Sequence, residues 1–216
     1  MQREPKRVRC TFVCLSYRGY WTSKGRPNEK GLRLDAAAAL KWISELHGKA
    51  CGPGARPGIN PGRVILWGQS IGSGVATNLA AEHPMPENLR LDSLILETPF
   101  TSIRAMLEIL YPQNWLPYKY LWPFLRNHLD SWANLGLISE KYGKATSQTK
   151  ILLLEAAKDE LVPAKLSEEL YQRCLQLHIP VEKVAVGGAF HNDAMFRAEG
   201  RRTVANFVAR QMTATK

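Results

Sequence analysis

The stretch Val64-Ile65-Leu66-Trp67-Gly68-Gln69-Ser70-Ile71-Gly72-Ser73-Gly74 decides the fold. Its first four residues are apolar, the pattern of a short buried strand. Gly68-x-Ser70-x-Gly72 then predicts a sharp turn, and Val75 to Glu82 continues in a helical pattern of small residues. A serine on so tight a turn has its hydroxyl raised above the edge of the sheet, the arrangement of a nucleophile elbow. Glycine before and after it lets strand and helix approach without a Cβ clash. The five-residue pattern alone arises by chance in roughly one chain in ten of this length. The flanking strand and helix separate it from an ordinary junction that carries a serine by accident.

Outward from the elbow, strands and helices alternate. Arg9 to Tyr17 reads as a strand, nearly continuous in apolar residues and suited to burial on two sides. Tyr17-Arg18-Gly19-Tyr20 turns the chain into a loop that runs to Asn28. Leu32, Ala36, Ala39, Leu40 and Ile43 recur at helical spacing and predict a helix from Leu32 to Leu46. Gly48 to Gly62, rich in glycine and proline, predicts a surface loop. After the elbow helix, Leu91 to Glu97 and Lys150 to Ala156 read as buried strands and Val181 to Val186 as the last one. Pro163 to Leu177 and Asp193 to Met212 read as helices, with Asp193 as N-cap of the second. Alternation of this kind predicts an α/β fold, a doubly wound parallel sheet with helices on both faces. The 216 residues are expected to form a single domain.

One stretch breaks the alternation. Residues 101–149 hold Tyr111, Trp115, Tyr118, Tyr120, Trp122, Phe124 and Trp132, interleaved with Pro112, Pro117 and Pro123. The prolines exclude one long helix. An aromatic insertion between two sheet strands reads as a cap over the carboxyl edge, where such sheets bind ligands. Packing of the cap onto the domain is the alternative use of the same aromatics.

Composition narrows the function classes. The apolar share of 45% and charged share of 22% are those of a globular protein, whereas the formal net charge of +10 is unusual. No helix carries base-reading side chains, and no nucleic-acid motif is present. The charge is therefore read as aiding solubility and attraction to an anionic membrane surface. Cys10, Cys14, Cys51 and Cys174 show neither CxxC nor zinc spacing, and Cys10 and Cys14 lie about 13 Å apart if extended. A reducing compartment and free thiols are expected. No apolar run spans a membrane and no secretory signal is visible. No metal or cofactor is expected, because no ligand cluster occurs.

A serine hydroxyl needs a base to take its proton, and the base needs an acid to orient it. On a sheet of this kind the partners follow in the order serine, acid, histidine, each at the carboxyl end of a strand. Ala156-Ala157-Lys158-Asp159-Glu160-Leu161-Val162-Pro163 follows the Lys150–Ala156 strand; Asp159 is the candidate acid and Glu160 the alternative. An N-cap or a loop salt bridge is the other use of such a carboxylate. His47, His83 and His178 lie at helix ends and His128 within the cap stretch. His191, in Gly187-Gly188-Ala189-Phe190-His191-Asn192-Asp193, falls in a glycine-containing loop just after a strand and is the candidate base.

The segments GQSIGSG, LILETPFTSIR, AAKDELVP and GGAFHND, in this order, resemble the α/β-hydrolase superfamily. The similarity is greatest to its α/β-hydrolase-domain-containing branch, the bud-emergence-related and acylglycerol-lipase-like serine hydrolases. LSYRGY and EKGLRLDAAAAL match the strand and helix before the elbow there, and the resemblance covers roughly residues 10 to 212. It implies Ser70 as nucleophile, Asp159 as acid, His191 as base and the backbone N–H of Ile71 as an oxyanion donor. It also implies further strands ahead of Arg9–Tyr17 and a His-Gly loop that completes the oxyanion hole. The chain is thus expected to be an amino-terminally shortened member without a central strand, with Trp21 where glycine is common. Longer members are often membrane-anchored.

The resulting expectation is a serine hydrolase acting on a small-molecule ester, thioester or amide through an acyl-enzyme. The aromatic cap favours a lipid-like or acyl substrate, with Tyr20, Trp115 and Trp122 as candidate substrate contacts. Two alternatives stand beside it: a hydrolase-like binding module, and an aminopeptidase-type peptidase with the same three residues.

Overall fold

The computed structural model describes residues 10–51, 61–111, 124–143 and 148–213. Strands β1 (Gly62–Gln69), β2 (Leu89–Glu97), β3 (Lys150–Ala156) and β4 (Val181–Val186) form one parallel sheet in the spatial order β1-β2-β3-β4. Parallel neighbours require crossovers, and each crossover here carries helix. The helices are α1 (Glu29–Cys51), α2 (Ile71–Glu82), α3 (Ile103–Leu110), α4 (Ser131–Tyr142), α5 (Ala164–Gln176) and α6 (Ala198–Thr213).

Alternate residues of β2 and β3 feed two apolar layers. Leu94, Leu96, Ile151 and Leu153 pack with Ala80 of α2, Leu135 and Ile138 of α4, and Leu170 of α5. Ile95, Leu152 and Leu154 face the other way, onto Val204 and Phe207 of α6. All seven strand residues are fully buried, each contributing about 1.5–3 kcal/mol relative to exposure. On the first face α1 adds Leu40, which packs on Val64 and Leu89. The doubly wound arrangement thus follows from the two-sided apolar strands at the centre. At the amino ends of the strands Arg63 grips Asp92 through Nε (3.2 Å) and Nη2 (2.9 Å). The same guanidinium donates from Nη1 to the Met212 carbonyl near the end of α6 (3.2 Å), where the helix dipole favours a cation.

Three expectations are corrected. Residues 10–16 form no strand and are exposed, with Phe12 at 77%. A strand needs a hydrogen-bonding neighbour, and among the described residues β1 pairs only with β2. Ser131–Tyr142, read as part of a cap, is instead a layer helix whose Leu135 and Ile138 are buried in the core. The closing helix starts at Ala198, after a separate 3-10 turn at Ala194–Phe196, because Arg197 is extended. Asp193 spends its carboxylate on the Phe190 N–H (2.6 Å) and on Arg197 Nη2 (2.7 Å) rather than on a cap.

Candidate active site

The elbow is built by close backbone approach. Ser70 lies between β1 and α2 with φ 51° and ψ −116°, a region costly for any residue with a Cβ. Its N–H donates to the Glu97 carbonyl (2.9 Å), and its carbonyl accepts from Ser73 N–H (2.9 Å) and Ser73 Oγ (2.6 Å). Although it stands at the N-cap position, its hydroxyl makes no capping bond. The backbone is therefore clamped, while among the described residues the Oγ has no hydrogen-bond partner. Ile71 begins α2, so its N–H is one of the helix's orphan donors, directed outward at the N-terminal, electropositive end.

The acid and the histidine come together through two neighbouring loops. The loop after β3 is tied to the loop after β4 by Ala157 N–H to the Val186 carbonyl (3.1 Å) and Lys158 N–H to the Ala189 carbonyl (2.8 Å). Asp159 Oδ1 accepts from the N–H groups of Leu161 (2.9 Å) and Val162 (2.8 Å), which orients the carboxylate. His191 Nδ1 lies 3.0 and 2.9 Å from the two Asp159 oxygens, with both side chains buried. A proton on Nδ1 directed at Asp159 leaves the lone pair on Nε2, the form a general base requires.

Glu160 and Gln69 take roles that the sequence did not announce. Glu160 Oε2 accepts the backbone N–H of His191 (3.0 Å). Gln69, the residue before Ser70, donates from Nε2 to the His191 carbonyl (3.2 Å). The imidazole loop is thus held from two sides and hung over the end of the elbow strand. Among the described residues no hydrogen bond joins Ser70 Oγ to His191; such bonds often tighten only with substrate bound. Glu160→Ala is expected to slow turnover about tenfold, the worth of one charge-assisted hydrogen bond, while the protein stays folded. Steady-state kinetics beside thermal unfolding checks this; unchanged turnover would remove Glu160 from the site.

Glu97, a residue 4% exposed, ends β2, and its carboxyl accepts from Trp67 Nε1 (3.2 Å). Burial pushes its pKa up, and the indole hydrogen bond and the charge of His191 pull it back. Its signal in the sequence is an acid closing the apolar run Leu94-Ile95-Leu96. Tyr20 is half-exposed in the turn after Tyr17, edge-on to that ring at 6.4 Å. Beside it Arg18 forms a bidentate pair with Asp35 of α1, holding the Asp35 carboxyl below its usual range. Among the described residues no hydrogen bond or ring contact joins Tyr20 to Ser70 or His191. Trp115 and Trp122 lie outside the described residues. Among the described residues no group of three or more His, Cys, Asp or Glu could hold a metal ion, and no helix is long and apolar enough to cross a membrane.

No family model matches the chain. Alpha/beta hydrolase domain-containing protein 17B of Xenopus laevis is 30% identical over 206 residues, covering 95% of this chain and 59% of the relative. The lysophosphatidylserine lipase ABHD12 of Macaca fascicularis is 36% identical over 164 residues, 74% of this chain and 36% of that protein. The chain therefore spans little more than half the length of the first relative and about a third of the second. Among solved structures, the Pyrococcus furiosus esterase Pf2001 superposes with a TM-score of 0.58 at 21% identity, over 91% of this chain and 67% of the esterase. That likeness is one of fold.

Proposed function

Because the chain belongs to the α/β-hydrolase superfamily, we propose that it is a serine hydrolase that cleaves a carboxylic ester, thioester or amide through an acyl-enzyme. The observation that carries the reading is His191 Nδ1 bonded to both oxygens of Asp159, in a loop that Gln69 fastens to the elbow strand. Ser70 Oγ attacks the carbonyl carbon and gives its proton to His191 Nε2, while Asp159 holds the ring and stabilises the imidazolium. The Ile71 N–H donates to the developing oxyanion. Collapse of the tetrahedral species passes the proton from His191 to the leaving group. Water, deprotonated by the same nitrogen, then releases the acid from Ser70.

An acyl or lipid-like substrate is the class favoured. It draws on the aromatic stretch before α4 and on one relative's name as a lysophosphatidylserine lipase. The rival is a hydrolase-like module that binds without turnover, favoured by the missing hydrogen bond between Ser70 and His191. Fluorophosphonate labelling, followed by peptide mass mapping, separates the two. A covalent adduct on the Ser70 peptide is expected, together with hydrolysis of p-nitrophenyl esters of increasing chain length in preference to aminoacyl anilides. Protein that takes up no probe would leave the binding module standing.

A further inference from the structure

The base at the elbow has a second carboxyl beside it. The parallel register pairs Gln69 with Glu97 and Trp67 with Ile95, so Trp67, Gln69 and Glu97 project from the α6 face of the sheet. Gln69 holds the His191 carbonyl on this face, and the Trp67 indole holds the Glu97 carboxyl next to it. Glu97 also contributes its carbonyl to the Ser70 N–H. One residue thereby touches the elbow backbone and stands beside Gln69, which holds the imidazole loop.

A buried carboxyl of this kind is expensive unless a cation meets it. Among the described residues no lysine or arginine forms an ion pair with Glu97; Arg63 goes to Asp92, Lys183 to Glu168 and Arg197 to Asp193. Of the influences on the Glu97 carboxyl, burial comes first, the Trp67 indole second and the charge of His191 third. A neutral imidazole gives the carboxyl little, and an imidazolium gives it a partner in a region of low dielectric. The unfavourable burial is thus relieved when His191 takes a proton.

We infer that Glu97 is a positioning and electrostatic residue for His191, a second carboxylate behind Asp159 that stabilises the imidazolium formed as Ser70 attacks. The inference rests on the reading of Ser70 and His191 given under Proposed function. Asp159 and Glu160 from the loop after β3 bond His191 directly; Glu97 ends β2 beside Gln69, which holds the His191 carbonyl, and Asp193 follows two positions on in the same loop. Asp159 binds Nδ1, Glu160 binds the backbone N–H, and Asp193 is committed to Arg197. Among the described residues Glu97 remains as the acid with no ion pair to a lysine or arginine.

The rate of fluorophosphonate labelling, measured from roughly pH 5 to 9 across the histidine range, tests this without knowledge of the substrate. Glu97→Gln keeps the size of the side chain and an acceptor for the Trp67 indole. It is expected to lower the plateau rate about tenfold and to move the midpoint of the profile down by about half to one pH unit. The sign follows because removing a negative charge makes the imidazolium less stable. Thermal unfolding of Glu97→Gln is expected at or above the wild-type midpoint, since a buried charge has been removed. Glu97→Asp, which keeps the charge, is expected to return the pH midpoint toward wild type. A plateau and midpoint both unchanged in Glu97→Gln would overturn the inference. So would slower labelling with an unmoved midpoint, the mark of a purely structural role. Labelling that survives Ser70→Ala would instead overturn the reading of Ser70 itself, and this inference with it.

Discussion

Ser70→Gly is expected to give a more stable protein that hydrolyses no ester. At φ 51° and ψ −116° a residue with a Cβ is strained, by on the order of 1–3 kcal/mol. Glycine adopts that conformation freely, though it loses roughly 0.5–1 kcal/mol more entropy on folding. The Ser70 hydroxyl makes no cap bond, so its removal costs the native state little. The net expectation is a gain of about 1 kcal/mol, or a rise of about 2–4 °C in the unfolding midpoint for a chain of this size. Turnover should fall about 10⁵-fold or more, the scale of losing the nucleophile from a unit that acts together. Ser70→Ala should lose as much activity without the gain in stability, because it keeps the Cβ. Calorimetry on the two variants decides the matter, and a Ser70→Gly protein less stable than Ser70→Ala would show that the turn is unstrained. Strain at a functional residue, balanced by the rest of the fold, is the usual stability–activity exchange.

Gly68→Ala is expected to destroy the elbow, whereas Gly72→Ala is expected to be nearly silent. A Cβ at Gly68 would fall on the carbonyl of Gly72 and lie 2.6 Å from the backbone N of Ser73. These are backbone atoms at the start of α2, already fixed by the Ser73 bonds to the Ser70 carbonyl, and they have nowhere to go. A loss above about 4 kcal/mol, with no probe labelling, is expected. Around Gly72 nothing lies within 4 Å of the position a Cβ would take. Alanine there should be neutral or stabilise by up to about 1 kcal/mol, as a better helix former. Equal damage at both positions, read by labelling and thermal unfolding, would mean that the close approach of strand and helix is not what the motif protects.

Much of the candidate site was legible because its signals are local. The elbow showed through small residues next to a four-residue apolar strand, and Asp159 and His191 through their places just after the Lys150–Ala156 and Val181–Val186 strands. Those strands have the expected boundaries, since a two-sided apolar run bounded by polar turns admits few other conformations. The run from residue 10 to 16 has the same local pattern yet forms no strand. Apolar character licenses burial in a sheet, but only hydrogen-bonding neighbours supply it.

The sequence by itself determined the alternation of strand and helix, the parallel sheet, and the chain order of Ser70, Asp159 and His191. Those follow from periodicity and turn chemistry, which act over a few residues. The tertiary structure decided between chemically alike neighbours. It sent Asp159 to the imidazole ring and the adjacent Glu160 to the backbone of the same histidine. It packed Gly68 against the backbone of Gly72 and Ser73 and left open space beside Gly72. It also set Glu97, 94 positions before His191 in the chain, beside Gln69, whose amide holds the His191 carbonyl. The physical reason is common to all three: hydrogen bonds, steric contact and charge act through space over a few ångströms, and only the folded sheet sets those distances.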